Sequence, residues 1–381
     1  MMRSLSILLL GTLLLFSCLR EEELKQPFVS YLPPEMDDGW SISSPGQEGM
    51  NAEALRKIYQ DFHEDEGLWQ VRSLLVFRGG KLLAESYTKD ARDRTTPRAI
   101  WSATKQVMGL LTGLALESQL IQDVKDPVSD YLPEVKDFPD KNGIRVEHLL
   151  TMRSGIAYSN DGLSGQTDDI LRKLPDDITR FILGLPLAAT PGEKVNYSDG
   201  DPQLLSSLIQ QQCGKPTSAW AWEVLFDKLQ VQHLEWDHYK DGTTLGGFGI
   251  LTTPRDLARF GQCVLDSGRW KGQRVVDPQW INRMTTMKVP DVYGYEFGYL
   301  WWLDPSRNML IMSGHGGQYV FLLPDMALMI VMTAEVNTQG DFQFKREKAL
   351  PWVDRISAAV DDDATITSPA IPQRPASPPR R

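Results

Sequence analysis

Strand-like segments lie near both ends of this chain, and helix-like segments lie between them. Residues 71–77 and 82–87 are rich in β-branched and aromatic residues, and the Gly79-Gly80 pair that separates them is typical of a hairpin turn. Four more runs of this kind follow, at residues 299–303, 309–312, 319–323 and 327–333. Because these distant strands need a common partner, the pattern predicts an antiparallel sheet assembled from both ends of the chain.

The middle of the chain, about residues 102–287, has the apolar spacing of helices. The periodicity is visible at residues 107–116, 146–152, 178–185, 204–209 and 257–265. Asn51 and Thr253 are predicted N-caps, with Pro254 at the first helical position, and a final helix is predicted at about residues 346–360. The predicted fold class is α+β, with an antiparallel sheet flanked by helices and an inserted, mostly helical lobe.

The start of the chain predicts export. Arg3 gives a positive start, and the apolar stretch at residues 5–16 is shorter than the about 20 residues that a membrane-spanning helix needs. Leu15 and Ser17 before Cys18 resemble a bacterial lipobox, in which Cys18 becomes lipidated and anchors the protein to a membrane. A plain secretory signal, in which Cys18 has no role, is the alternative. Both place the protein in the periplasm or cell envelope.

These features divide the chain into four parts. Residues 1–18 are the signal segment, and residues 19–50 are a polar linker and arm. Residues 51–360 form one catalytic domain, whose helical lobe is at about residues 102–287. Residues 361–381 are a tail in which proline recurs every third residue, which favours a disordered, extended end over a ligand for a partner.

Charge and cysteine content exclude several classes of function. The 381 residues include 40 Lys and Arg against 50 Asp and Glu, and a net charge of −10 argues against a nucleic-acid partner. The five histidines are scattered and no metal-binding spacing occurs, so neither a metal nor an organic cofactor is expected. Cys213 and Cys263 can pair in an exported protein, but two buried thiols are the favoured interpretation.

Ser102 and Lys105 are the first candidate catalytic residues. They belong to the segment SATK at residues 102–105, before an apolar helical run, and residues three apart share a helix face. Lys105 can therefore reach the Ser102 hydroxyl, and the helix dipole favours negative charge at that end. The alternative is an N-cap serine with an exposed lysine.

Two later motifs supply candidate partners. Tyr197 begins the segment YSD, and a tyrosine that is hydrogen-bonded to a lysine can shuttle a proton between nucleophile and leaving group. The segment HGGQ at residues 315–318 has two glycines that let a substrate lie against the backbone, and the Gln318 N–H can form an oxyanion hole with that of Ser102. The alternatives are a core tyrosine and an ordinary hairpin turn. The sequence lacks Gly-x-Ser-x-Gly, so the α/β-hydrolase fold has no support.

In this order, the three motifs resemble those of the serine β-lactamase and penicillin-binding-protein superfamily. The resemblance is to the class C-like branch, with its esterases, D-aminopeptidases and 6-aminohexanoate-dimer hydrolases, and it runs over about residues 38–333. Connecting segments share it, at residues 39–45, 147–155, 251–261 and 298–302.

The resemblance implies a role for each motif residue. Ser102 attacks the substrate, Lys105 and Tyr197 manage the proton, and the backbone amides of Ser102 and Gln318 bind the oxyanion. The candidate substrate-binding residues are Asp199, His315, Gly316 and Gly317. Water, or another nucleophile, then releases the acyl group.

Two departures from the β-lactamase pattern bear on the substrate. His315 replaces a permanently charged lysine with an imidazole that is mostly neutral at pH 7. Asp199 replaces an asparagine, and a carboxylate near Lys105 would favour the ammonium form and oppose its use as a base. Either Asp199 points away from Lys105, or Tyr197 is the more important base. Both changes favour an ester or amide hydrolase.

The sequence therefore predicts an exported serine hydrolase that cleaves ester or amide bonds of a small substrate through an acyl-enzyme on Ser102. One alternative is a true β-lactamase or D-alanyl-D-alanine peptidase. Another is a catalytically silent, penicillin-binding-like surface lipoprotein. The aromatic residues at 293–302 are expected to be core residues rather than the wall of an acyl pocket.

Overall fold

A nine-stranded sheet forms the centre of the structure, a computed structural model that describes residues 25–158, 160, 177–286, 288–336 and 344–361. The strands in these ranges are β1 (Ser41–Ile42), β2 (Val71–Arg78), β3 (Lys81–Tyr87), β4 (Arg98–Ala99), β5 (Leu234–Trp236), β6 (Ile250–Thr252), β7 (Arg269–Trp270), β8 (Gln273–Arg274), β9 (Val289–Val292), β10 (Tyr295–Phe297), β11 (Trp302–Asp304), β12 (Met309–Gly314), β13 (Gln318–Leu323) and β14 (Leu328–Ala334).

The large sheet joins the two ends of the chain. Its strand order is β1-β3-β2-β14-β13-β12-β11-β10-β9, and every neighbouring pair is antiparallel except β1 and β3. The N-terminal strand β2 pairs with the C-terminal strand β14, with Arg78 opposite Leu328. The predicted α+β class, with a sheet built from distant segments, is confirmed.

The hairpin of β2 and β3 has the predicted turn. Gly79 and Gly80 both have left-handed backbones, with φ of 56° and 76°, as a two-residue type I′ turn requires. Strands β9 and β10 were not predicted, because each is only three or four residues long and is separated from its neighbour by a tight turn. Two small sheets, β4-β6-β5 and β7-β8, lie outside the large one.

Nine α-helices occur in the described ranges: α1 (Ala52–Glu64), α2 (Thr104–Glu117), α3 (Val146–Leu150), α4 (Ile178–Leu183), α5 (Gly200–Cys213), α6 (Thr217–Ala221), α7 (Pro254–Leu265), α8 (Pro278–Thr285) and α9 (Arg346–Ser357). The predicted caps are present. The Asn51 side chain accepts a hydrogen bond from the Ala54 N–H at 2.9 Å, and the Thr253 hydroxyl accepts one from the Asp256 N–H at 3.3 Å.

Helix α2 lies inside the protein, and this burial explains its apolar sequence. Residues 104–115 are all buried, as expected for a helix that is covered on every side. Gly113 faces the Trp280 ring at a distance that leaves no room for a side chain, so α8 packs closely against α2.

The described part of the N-terminal arm packs along the edge of the sheet. The Gln26 N–H donates to the Thr88 carbonyl at 2.7 Å, and the Glu85 N–H donates to the Tyr31 carbonyl at 2.8 Å. Trp40, within this arm, is buried. No helix of the described residues is both long and apolar enough to cross a membrane.

Three predictions for the rest of the chain have different outcomes. The signal segment with Cys18 and the proline-rich tail beyond Asp361 lie outside the described residues. Cys213 and Cys263 are both free thiols, as favoured from the sequence, although Cys213 is only half-buried. The last helix ends at Ser357, slightly earlier than predicted.

Candidate active site

Ser102 and Lys105 meet at the start of α2. A short 3-10 turn, Trp101–Ala103, runs directly into the helix, and Lys105 lies one turn after Ser102. Lys105 Nζ donates a hydrogen bond to Ser102 Oγ at 3.0 Å, as the spacing predicts. The lysine side chain is fully buried, so the alternative of an exposed lysine is wrong.

Three acceptors surround the Lys105 side-chain nitrogen. Besides Ser102 Oγ, Nζ forms an ion pair with Asp199 and donates to the Gly247 carbonyl at 2.7 Å. An ammonium group has three N–H donors, and these three acceptors match them. Asp199 therefore points at Lys105 and not away from it, and its structural role is that of the lysine's counter-ion.

The position of Asp199 depends on two neighbouring loops. Its N–H donates to the Asn160 side chain at 3.1 Å, just before α5 begins. Gly247 packs so closely that a side chain there would lie 2.9 Å from a carboxylate oxygen of Asp199. Only glycine lets this carbonyl reach Lys105, and no motif in the sequence indicated that role.

The face of the Tyr197 ring lies against Lys105 Nζ. Lys105 Nζ is 5.1 Å from the ring centroid, which is a cation–π distance. Within the described residues, the Tyr197 hydroxyl forms no hydrogen bond with Ser102 or Lys105. The predicted tyrosine–lysine hydrogen bond is therefore not found among the described residues, and the observed contact between the two residues is with the face of the tyrosine ring. The other side of Tyr197 packs against Trp302, with ring centroids 5.2 Å apart.

The segment at residues 315–317 forms the tight turn between β12 and β13, and Gln318 opens β13, as the hairpin-turn interpretation predicts. The role of the Gln318 N–H in an oxyanion hole stays a prediction. Gly316 and Gly317 have φ of 77° and 104°, which glycine adopts most readily. A side chain on Gly317 would lie 2.8 Å from Phe344 Cβ. The glycines thus allow close packing of this chain's own segments.

This turn lies next to the 3-10 turn that carries Ser102. The His315 ring packs edge-on against Trp101, with centroids 5.5 Å apart, and Trp101 has a left-handed backbone with φ of 51°. Burial lowers the pKa of His315 below its usual value, so the imidazole is neutral at pH 7. Gln106, on α2, connects this helix to β12, because its side-chain oxygen accepts a hydrogen bond from the Ser313 N–H at 3.2 Å. Its side-chain nitrogen donates to the Leu300 carbonyl at 2.7 Å.

A second carboxyl group near the site was missed by the sequence reasoning. Asp201, in the first turn of α5, is fully buried, and burial raises its pKa to about 7. The Ser154 hydroxyl donates to it at 2.5 Å. The only signal in the sequence was its proximity to Tyr197, and that does not reveal burial.

The aromatic segment at residues 293–302 is mostly core, as expected. Phe297, Tyr299, Trp301 and Trp302 are buried. Tyr295 is half-buried, and Tyr293 is 77% exposed although its ring centroid is 6.5 Å from that of Tyr197.

This chain is similar to several known proteins. A sequence model of the family described as Beta-lactamase matches residues 67–350. A 6-aminohexanoate-dimer hydrolase from Paenarthrobacter ureafaciens is 26% identical over 256 residues, which are 63% of this chain and 63% of the relative. The alignment thus spans less than two thirds of that relative's length.

Two solved structures share the fold. A protein from Bacillus anthracis, provisionally called a 6-aminohexanoate-dimer hydrolase, is 17% identical and has a TM-score of 0.69, covering 87% of this chain and 90% of its own. A mutant class C β-lactamase is also 17% identical and has a TM-score of 0.62, covering 81% of this chain and 98% of its own.

Proposed function

This chain belongs to the β-lactamase family, and we propose that it is a serine hydrolase whose nucleophile is Ser102. The observation that carries the proposal is the hydrogen bond of 3.0 Å from the buried Lys105 ammonium to Ser102 Oγ. A cation in a dry site is positioned to stabilise negative charge as it develops on that oxygen.

In the proposed acylation step, Ser102 Oγ attacks the carbonyl carbon of an ester or amide. The backbone N–H groups of Ser102 and Gln318 bind the oxyanion. Lys105 serves as a fixed cation and not as the base, because Asp199 is in direct contact with its ammonium group. The Tyr197 hydroxyl gives its own proton to the leaving group as it takes up the serine proton, and water then hydrolyses the acyl-enzyme.

The proposed substrate class is a small ester or amide rather than a β-lactam. His315 is neutral at pH 7 and thus supplies no permanent cation at the turn beside Ser102. The named substrate of one relative, the 6-aminohexanoate dimer, supports the same class. A true β-lactamase or D-alanyl-D-alanine peptidase is less well supported because the cation is missing at residue 315.

The test combines a covalent probe with a substrate panel. A fluorophosphonate probe should label the purified protein and should not label the Ser102→Ala variant. A p-nitrophenyl ester or a D-amino-acid amide should be turned over faster than nitrocefin. Equal labelling of both proteins would show that Ser102 is not the nucleophile. Rapid nitrocefin turnover would show that the protein is a β-lactamase.

A binding protein without turnover is the second candidate. The contact between Lys105 and Asp199 favours it, because a lysine held as an ammonium ion cannot accept the serine proton. In that case the wild type should bind β-lactams or esters without labelling by the fluorophosphonate probe and without product release.

We also propose that the protein is exported and lipid-anchored through Cys18, which would place the site at a membrane surface. The lipobox-like residues before Cys18 support this proposal. Metabolic labelling with a radioactive fatty acid should mark the wild type and not the Cys18→Ala variant. If neither protein is labelled and both are secreted, the start of the chain acts as a plain signal peptide.

A further inference from the structure

Gln106 follows Lys105 on α2, and its side chain is fully buried. Both ends of its amide are bonded to backbone groups outside the helix. The side-chain oxygen accepts from the Ser313 N–H on β12, and the side-chain nitrogen donates to the Leu300 carbonyl. One side chain on the nucleophile's helix therefore connects it both to β12 and to the segment that precedes β11.

These two backbone groups would face each other if the sheet continued. Strands β11 and β12 pair with Trp302 opposite Ile311. Two further residues in this register would place Leu300 opposite Ser313. Strand β11 instead begins at Trp302, and Leu300 has a left-handed φ of 62°, which a regular strand does not allow. The Gln106 amide lies between the two backbone groups and bonds to both of them, so it acts as a wedge between the end of β12 and the chain before β11.

The wedge lies beside the proposed oxyanion hole. Strand β12 ends at Gly314, which pairs with Gln318 on β13. The backbone at Gly314 approaches the nucleophile's turn so closely that a side chain there would lie 2.0 Å from the Ile100 carbonyl oxygen. The segments that carry the Ser102 and Gln318 N–H groups are thus joined at two points, this backbone contact and the Gln106 amide.

We propose that Gln106 is a positioning residue for the oxyanion hole. Its amide fixes the turn that carries Ser102 against the β12–β13 hairpin, and thereby sets the separation of the two N–H groups that bind the oxyanion. The inference rests on the proposed hydrolase function. Its expected effect is large, because loss of one oxyanion donor costs about 10²–10³ in kcat and a displacement of about 1 Å can cost about 10²-fold.

The first test is Gln106→Met, which keeps the length of the side chain and removes both hydrogen bonds. With p-nitrophenyl acetate, kcat should fall roughly tenfold or more while KM stays within about twofold, because the oxyanion forms only in the transition states of acylation and deacylation. The matched control is Thr217→Val in the helical lobe. The Thr217 hydroxyl is also fully buried and donates to the Ser206 carbonyl at 2.8 Å, so its removal should lower the melting temperature and leave kcat unchanged.

The second test is Gln106→Glu, which uses pH to restore the lost donor. A protonated glutamic acid can accept from the Ser313 N–H and donate to the Leu300 carbonyl, as the amide does, whereas a carboxylate can only accept. Burial raises the pKa of a carboxyl group, so protonation should occur within the range of the assay. The kcat of the variant, divided by that of the wild type at the same pH, should therefore rise from about pH 8 to about pH 5.

The outcomes separate the two proposals. An unchanged kcat for Gln106→Met, a fall no larger than that of Thr217→Val, or a Gln106→Glu ratio that does not vary with pH would overturn the positioning role while leaving the hydrolase in place. If Gln106→Met does not fold, the pH profile of Gln106→Glu decides alone. If the wild type does not cleave the ester, the proposed function fails and the positioning role fails with it.

Discussion

Replacing Asp199 with asparagine tests whether Lys105 is an ammonium ion. The lysine side chain is fully buried and that of Asp199 is 6% exposed, so the two charges neutralise each other out of water. Removing one partner of such a pair typically costs about 3–5 kcal/mol, because the remaining charge is left unpaired. Asparagine keeps the volume and one acceptor, so we expect a loss of about 3 kcal/mol in the free energy of unfolding at pH 7.

The loss should shrink as the pH rises. In the variant, the unpaired amine can release its proton in the native state, while the unfolded chain keeps it up to pH ~10, so stability increases with pH. Urea unfolding followed by circular dichroism measures both effects. The matched control is Asp137→Asn, which removes a carboxylate from an exposed ion pair with Arg180 and should cost about 0–1 kcal/mol. A loss for Asp199→Asn no larger than the control's would mean that Lys105 is neutral.

Three further substitutions have defined outcomes. Tyr197→Phe should lower kcat much more than it raises KM for a p-nitrophenyl ester, and an unchanged kcat would remove its proton-transfer role. Burial raises the pKa of Asp201 to about 7, so the stability it gives is complete below pH ~4 and is lost as the pH rises through about 7. Between pH 5 and pH 8, the free energy of unfolding from urea melts should therefore fall by about 2–3 kcal/mol more for the wild type than for Asp201→Asn, and equal falls would contradict the assignment. Gly317→Ala should cost about 2–4 kcal/mol, because strain at its φ of 104° adds to the collision with Phe344. Gly272→Ala, with φ of 79° and open space around it, should show only the strain of about 1 kcal/mol in thermal melts, and equal losses would rule out the collision.

The sequence predicted those parts of the fold and site that depend on local spacing. Ser102 and Lys105 are three residues apart on one helix, so their contact follows from helix geometry. The Gly79-Gly80 turn and the cap at Thr253 follow from backbone preferences of single residues.

The remaining parts depend on contacts between distant segments. The ion pair of Lys105 with Asp199 joins residues 94 apart in the chain, and the hydrogen bond to the Gly247 carbonyl joins residues 142 apart. A backbone carbonyl carries no signal in the sequence. The contacts of Gln106 were also unpredictable, since a glutamine in a helix looks like any polar helix residue until its backbone partners are known.

The most direct test of the proposed mechanism is to trap the acyl-enzyme. The protein is mixed with p-nitrophenyl acetate, quenched with acid during turnover, digested and examined by mass spectrometry. We expect one acetyl group per chain, on the peptide that contains Ser102, and none on the Ser102→Ala variant. Turnover without an acetylated peptide, or acetylation of another serine such as Ser86, which is hydrogen-bonded to His63 at 2.5 Å, would contradict Ser102 as the nucleophile.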